Sequence, residues 1–251
     1  MRWLAALLLL LAGAAQAQQP RLVTDLSQSR IDISYRFAGA ELLIFGAIQY
    51  PGGVVPSEPP GIAVILRGPV EPITVRKKAR IAGIWVNTEA LRFESAPGYY
   101  AVATTKPVRD LLDERNAAIY EIGLRHLQLS PATAADAETT GRFQEGLVKL
   151  RVSEGLFVEQ PYGVQVTDRI LYRARLPIPS AVPVGNYQAE IYLISDGRVR
   201  ARSTAPVIID KTGFERSLYV FAQDHGFLYG LFAVALAVAM GVAAGQIGRR
   251  A

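Results

Sequence analysis

The sequence predicts a mainly β protein with a helical insertion: an immunoglobulin-like β-sandwich region followed by one C-terminal transmembrane helix. Three observations carry this expectation. Short apolar segments punctuated by Gly and Pro fill residues 22–105 and return from Leu156 onward, the spacing of an all-β region. Between them the apolar period changes to that of helices. Finally, Gly226 to Ile247 contains no charged residue, and only Gln246 is strongly polar.

The elements follow in order. Met1-Arg2 is a short basic start, Trp3 to Ala12 is apolar, and Ala15-Gln16-Ala17 fits the small-x-small cleavage rule. A secretory signal peptide over residues 1–17 is expected, cleaved after Ala17; an uncleaved N-terminal anchor is the alternative. Both place residues 18–225 outside the inner membrane, in the periplasm.

An N-terminal β-sandwich region is expected over residues 18–106. "IDISYRF" alternates, with Ile31, Ile33, Tyr35 and Phe37 on one face. "ELLIFGAI" and "GIAVILRG" are continuous apolar runs, as in central strands, and Phe45 is expected in the core. "PITVRKK", "ARIAGIWVN" and "YYAVAT" continue the pattern, and "YPGGVVPSEPPG" (Tyr50–Gly61) reads as a long exposed loop.

The helical insertion is expected over residues 107–155. Val108, Leu112, Ile119, Ile122 and His126 predict one amphipathic helix to about Leu129, ended by Ser130-Pro131. A second helix is expected from about Ala134 to Glu154, with Phe143, Leu147 and Leu150 inward and Gly155 as its stop.

A C-terminal β region follows over residues 156–210. Asp196-Gly197 between "NYQAEIYLIS" and "RVRARSTAPVIID" is a strong hairpin signal. "PVGNY" places Tyr187 at a strand entry, in the manner of a tyrosine corner. A juxtamembrane linker, residues 211–225, leads to a transmembrane helix over 226–248 and a cytoplasmic tail over 249–251. At ~1.5 Å per residue such a helix crosses a hydrocarbon core of ~30 Å. A buried soluble helix is the alternative, but it would ordinarily show a polar face. Arg249 and Arg250 then act as topology determinants that keep the C-terminus inside.

Composition narrows the chemistry. With no cysteine there is no disulfide, thiolate zinc site or cysteine nucleophile. The formal charge of +5 falls to +2 outside the membrane once Arg2, Arg249 and Arg250 are set aside, so nucleic acid is not an expected partner.

The chain resembles the alphaproteobacterial putative transmembrane protein family. The resemblance rests on "FAGAELLIFGAI" (Phe37–Ile48), "IWVN" (Ile84–Asn87), "YYAVATTKP" (Tyr99–Pro107), "PSAVPVGNY" (Pro179–Tyr187) and "KTGFERSLYVFAQDHGFLYGLFAV" (Lys211–Val234). It implies a neighbouring permease like those exporting sulfite or organosulfonates, and it brings no catalytic residues to carry over.

The candidate chemistry is sparse. His126 and His225 are the two histidines; His126 reads as a hydrogen-bonded core residue. Ser217, Asp224 and His225 supply the residue types of a triad, but no nucleophile-elbow motif accompanies them. Asp136 and Glu138 near His126 read as helix-start acids rather than metal ligands. No cofactor is expected. "RKKAR" (Arg76–Arg80) could meet anionic headgroups or an acidic partner; a solvated hairpin is the plainer reading.

Within the span, Ala233, Ala237, Gly241 and Gly245 recur every fourth residue, as do Gly226 and Gly230. Small residues at that spacing are helix-packing candidates, set against a plain alanine-rich anchor. The expected partners are the lipid bilayer and, through the span, a multi-pass membrane protein or a second copy. The expected function is a non-catalytic accessory or scaffolding subunit. Its rivals are a membrane-anchored periplasmic hydrolase or ligand-binding protein using a cleft, and an envelope-assembly or adhesion module. Coupled acids and bases in a formed pocket favour the enzyme, a flat apolar patch the scaffold.

Overall fold

A computed structural model describes residues 19–33, 39–133, 135–211 and 214–248; for residues 211, 214–217, 220 and 242–248 it describes the backbone alone. Ala15, Ala17, Tyr35, Phe37, Arg249 and Arg250 lie outside the described residues.

The N-terminal strands are β1 (Arg21–Leu26), β2 (Arg30–Ile33), β3 (Ala40–Gln49), β4 (Gly61–Arg67), β5 (Val70–Ile81), β6 (Ile84–Pro97) and β7 (Tyr100–Thr104). The insertion holds helices α1 (Val108–Leu111) and α2 (Glu114–Ile119), the short strand β8 (Ser130–Pro131) and helix α3 (Ala137–Ser153). Strands β9 (Phe157–Gln160), β10 (Val164–Thr167), β11 (Leu171–Ile178), β12 (Gly185–Ser195) and β13 (Arg198–Lys211) follow, then helices α4 (Phe214–Asp224) and α5 (Gly226–Gly248).

Among the described residues, 19–31 and 39–209 form one unit, and 32–33 and 210–248 a second. In the first unit the N- and C-terminal β regions interleave. One sheet has the order β1-β3-β11-β10 and another the order β2-β13-β12-β4-β7-β9. Neither region completes a sheet without the other, because β3 pairs with β11 and β4 with β12. The two sheets touch through β11 with β7, β1 with β12 and β10 with β4. Leu42, Ile44, Ile48, Leu176 and Ile178 are buried on the first sheet, Tyr187, Ala189 and Ile191 on the second.

The run Ile62–Leu66 is buried throughout. β4 lies between β12 and β7, and the insertion covers its sheet's outer side: Tyr120 packs on Tyr192 at 5.4 Å between ring centroids. Coverage on both faces explains why β4 lacks alternation.

A third sheet, β5-β6-β8, carries α3 across its base. There Phe143 and Leu147 pack with Leu91, Phe93, Ala96 and Leu129. Asp136 caps α3, its Oδ1 accepting from the Thr139 N–H at 2.7 Å, and this bond holds its carboxyl below the usual range.

Four expectations are corrected. Phe45 is 39% exposed, because in β3 the inward side belongs to Leu42, Ile44 and Ile48; a continuous apolar run hid a period of two. Leu150 is 51% exposed, since α3 buries only a narrow stripe of Phe143 and Leu147. The single helix expected to Leu129 is broken: Leu112 turns extended at φ −128°, ψ 147°, and Asp113 caps a new helix. His126 therefore sits in a short 3-10 turn, Leu124–His126. "ARIAGIWVN" is the tip of a hairpin and not one strand, turning at Ala82-Gly83, both with positive φ.

In the second unit, α4 and α5 run on through His225, whose carbonyl accepts from the Tyr229 N–H at 2.9 Å. Among the described residues no helix is long and apolar enough to cross a membrane. The described side chains of α5 end at Gly241, while its backbone helix continues to Gly248.

Candidate functional site

Strand register brings three connections to one end of the first unit. Gly61, which opens β4, pairs with Ile194 at the end of β12, and Ala63 pairs with Thr104 at the end of β7. The proline-rich β3–β4 loop, the β12–β13 hairpin and the segment after β7 therefore converge. Between them lies an open cleft of about 940 Å³.

Its floor is apolar, with Leu111, Leu193 and Ile194 nearly buried, and Val54 stands 74% exposed on the loop. The rim carries both signs of charge, with Glu58, Asp110 and Asp196 against Lys106 and Arg200.

The loop is held in place. The Tyr50 hydroxyl donates to the Arg169 carbonyl at 2.9 Å. Arg169 in turn donates from Nη1 to the carbonyls of Pro56 at 3.2 Å and Ser57 at 3.0 Å. Burial pushes the Tyr50 phenol up, with Arg169 opposing. Arg169 reaches the loop from a tight β10–β11 turn in which Asp168 and Arg169 both take positive φ. Three prolines at 56, 59 and 60 restrict the loop's backbone further.

The hairpin wall is equally fixed. Arg200 Nη2 bonds Asp196 Oδ2 at 2.7 Å, and that bond holds the Asp196 carboxyl below its usual range. The Gly197 carbonyl accepts from the Asp113 N–H and from Asn116 Nδ2, both at 3.3 Å. Such a cleft presents a preformed apolar floor with ionised groups at its edge, which suits recognition of an extended chain or a charged ligand.

A second cluster lies between β4, β12, β13 and the insertion. Glu190 is 5% exposed and accepts from Arg202 Nη2 at 2.5 Å and from the Tyr192 hydroxyl at 3.0 Å. Arg67 approaches Glu190 at 3.9 Å, pairs with Glu121 and lies 5.7 Å over the Tyr100 ring. Two cations and two carboxylates balance, so the buried charge is compensated. Burial raises the Tyr100 and Tyr192 phenols far above their ordinary range. The cluster ties the insertion to the sheet.

Residues 21–250 match the family described as "Putative transmembrane protein (Alph_Pro_TM)". The chain belongs to this family. The description names a membrane protein and no activity. No curated protein and no solved structure matches the chain.

The residues singled out from sequence are dispersed in this family member. His126 Nδ1 stands 3.7 Å from Glu114 Oε1, and Asp136 and Glu138 serve the start of α3. Among the described residues no group of three metal-ligating side chains converges. The His225 ring stacks on Phe221 at 5.6 Å, while the Ser217 side chain lies outside the described ones. Ala233, Ala237 and Gly241 fall on one stripe of α5, and a Cβ at Gly241 would meet nothing within 4 Å. Gly245 follows on the same helix, beyond the described side chains.

The cleft and the Glu190 cluster were missed from sequence. The loop's prolines and Asp196-Gly197 were both visible, but only the strand pairing puts them together.

Proposed function

We propose that this protein is a single-pass inner-membrane accessory subunit: an exported immunoglobulin-like module that recognises a membrane partner with its loop cleft. The observation that carries the reading is the joining, in one chain, of that cleft to a 23-residue apolar helix. At ~1.5 Å per residue α5 measures about 34 Å, enough for a hydrocarbon core of ~30 Å. The residues with described side chains, Gly226–Gly241, fall short of that length; Val242 to Gly248 are also free of charge by sequence and complete it.

Support for the immunoglobulin-like module comes from topology. The orders β1-β3-β11-β10 and β13-β12-β4 correspond to A-B-E-D and G-F-C of that sandwich, with β2 added beside β13 and β7 and β9 added beside β4. The Tyr187 hydroxyl donates to the Pro183 carbonyl at 2.6 Å, as a tyrosine corner does. In this correspondence the cleft lies between the B–C and F–G loops, the end that variable domains use for recognition.

The signal peptide, periplasmic placement and cytoplasmic C-terminus follow the sequence pattern. A multi-pass permease is the preferred partner, with the stripe of Ala233, Ala237, Gly241 and Gly245 packing on it or on a second copy. The same cleft sustains the rival reading of a periplasmic ligand-binding protein.

Photo-crosslinking from Val54, the most exposed apolar residue of the cleft loop, tests the proposal. A discrete adduct with a multi-pass membrane protein, lost on Arg200→Glu, is expected. Failure to crosslink, together with saturable small-molecule binding in the cleft, would favour the ligand-binding reading.

A further inference from the structure

The base of the β5–β6 hairpin is covered by α3, but its outer half is not. From Lys77 to the turn at Ala82 the arm extends about 17 Å at ~3.3 Å per residue. At its end Ile81, Ile84 and Trp85 are 54%, 65% and 68% exposed. Ile81 faces Ile84 across the turn and Arg80 faces Trp85. Three large apolar side chains at the tip of an uncovered hairpin have no fold role to fill.

The charge beside them is one-signed. Between Arg76 and Glu89 stand four cations and a single carboxylate. Lys77 takes that carboxylate at 2.8 Å, and Glu89 also receives Arg142 at 2.6 Å. Arg76, Lys78 and Arg80 are left without a carboxylate among the described residues. At alternate positions of one strand they share a face, and Arg80 Nε is anchored on the Gly83 carbonyl at 3.2 Å.

We infer that this hairpin tip docks on an anionic phospholipid surface, with Trp85, Ile81 and Ile84 entering the headgroup boundary and Arg76, Lys78 and Arg80 meeting lipid phosphates. Tryptophan favours that boundary, where its ring is half wet. Basic residues beside it add attraction to anionic lipid, roughly fivefold in partitioning per cation. An acidic protein partner would match the cations but leave the apolar tip unexplained. The inference rests on the reading that α5 holds the chain at a membrane, and it gives the β module a second foothold there.

Trp85 is itself the probe, because Trp3 is the only other tryptophan. The full chain carrying Trp3→Phe is reconstituted into nanodiscs of phosphatidylcholine, with or without phosphatidylglycerol, and incorporation is scored by co-elution with the disc. In phosphatidylglycerol discs Trp85 emission should shift to the blue, be quenched by brominated acyl chains and be shielded from acrylamide. The triple variant Arg76→Glu, Lys78→Glu, Arg80→Glu should incorporate equally and lose most of that quenching, with the melting temperature unchanged. Incorporation with Trp85 still open to acrylamide overturns the inference and leaves the span intact. Shielding from both quenchers points to a protein at the tip and overturns it too. Equal quenching in both lipids, or in the triple variant, removes the anionic requirement. A chain that does not co-elute with discs overturns the span and the inference with it.

Discussion

Replacing Gly46 with alanine probes the joint between β1 and the rest of its sheet. Gly46 lies in β3, opposite Thr24 of β1 and Tyr172 of β11. The Tyr172 side chain crosses beneath it to reach β1, its hydroxyl 2.6 Å from Thr24 Oγ1 and 3.2 Å from the Val23 carbonyl. An added Cβ would overlap the Val23 carbonyl oxygen and come within 2.5 Å of the Tyr172 hydroxyl and 2.7 Å of its Cζ. The ring could swing away, but the carbonyl is backbone, so β1 must separate from β3. Overpacking of this kind costs ~1–3 kcal/mol. Loss of the two hydroxyl bonds adds ~1 kcal/mol each. A destabilisation of about 3–5 kcal/mol lowers the melting temperature by roughly 10–15 °C for a domain of this size. Thermal unfolding of the full chain in mild detergent, followed by near-ultraviolet circular dichroism, measures it. Tyr172→Phe alone should cost ~1–2 kcal/mol. The double variant should cost less than the sum, since both changes act on one contact. A Gly46→Ala protein that melts with wild type, or strict additivity in the double variant, would refute the reasoning.

Four further outcomes follow from the same structure. Leu147→Ala, at a site 1% exposed under α3, should cost ~2–4 kcal/mol by denaturant unfolding. Phe45→Ala, at a site 39% exposed, should cost less than about 1 kcal/mol. On the alkaline side, Tyr99, Tyr100, Tyr187 and Tyr192 have phenols raised by burial, so the folded state holds their protons more tightly than the unfolded state. Their contribution is complete below the ordinary tyrosine range of ~10 and declines as pH rises above it; part of the tyrosinate absorbance should therefore appear only with unfolding. In membranes, Gly241→Ile should abolish cross-linking through α5, while Leu236→Ile on another face should leave it unchanged.

Much of the architecture was legible because local rules govern it. The Asp196-Gly197 turn, the Asp136 cap and the continuous burial of Ile62–Leu66 each follow from residue types at fixed spacing. Errors arose where tertiary coverage decided the outcome. Phe45 sits in a run as apolar as that of β4, but β4 has the insertion over its second face and β3 does not present Phe45 to a cover. The helix expected through Leu129 had correct periodicity, yet Asp113 offered a better cap than continuation offered bonds. The cleft was invisible for a different reason. Its walls are separated by more than a hundred residues, and only the pairing of β4 with β12 joins Gly61 to Ile194. Glu190, the single charged residue of β12, was the one local sign of the buried ion cluster.

Topology in the bacterial inner membrane tests the central claim most directly. A reporter active only in the periplasm is fused after Asp210, ahead of α4 and α5, and separately after Ala251, beyond Arg249 and Arg250. The account predicts activity from the first fusion, which lacks the span and is released in soluble form once the signal peptide is cleaved, and none from the second, which stays in the membrane fraction. Activity from the C-terminal fusion, or a full-length chain that leaves the membrane fraction in alkaline carbonate, would contradict it.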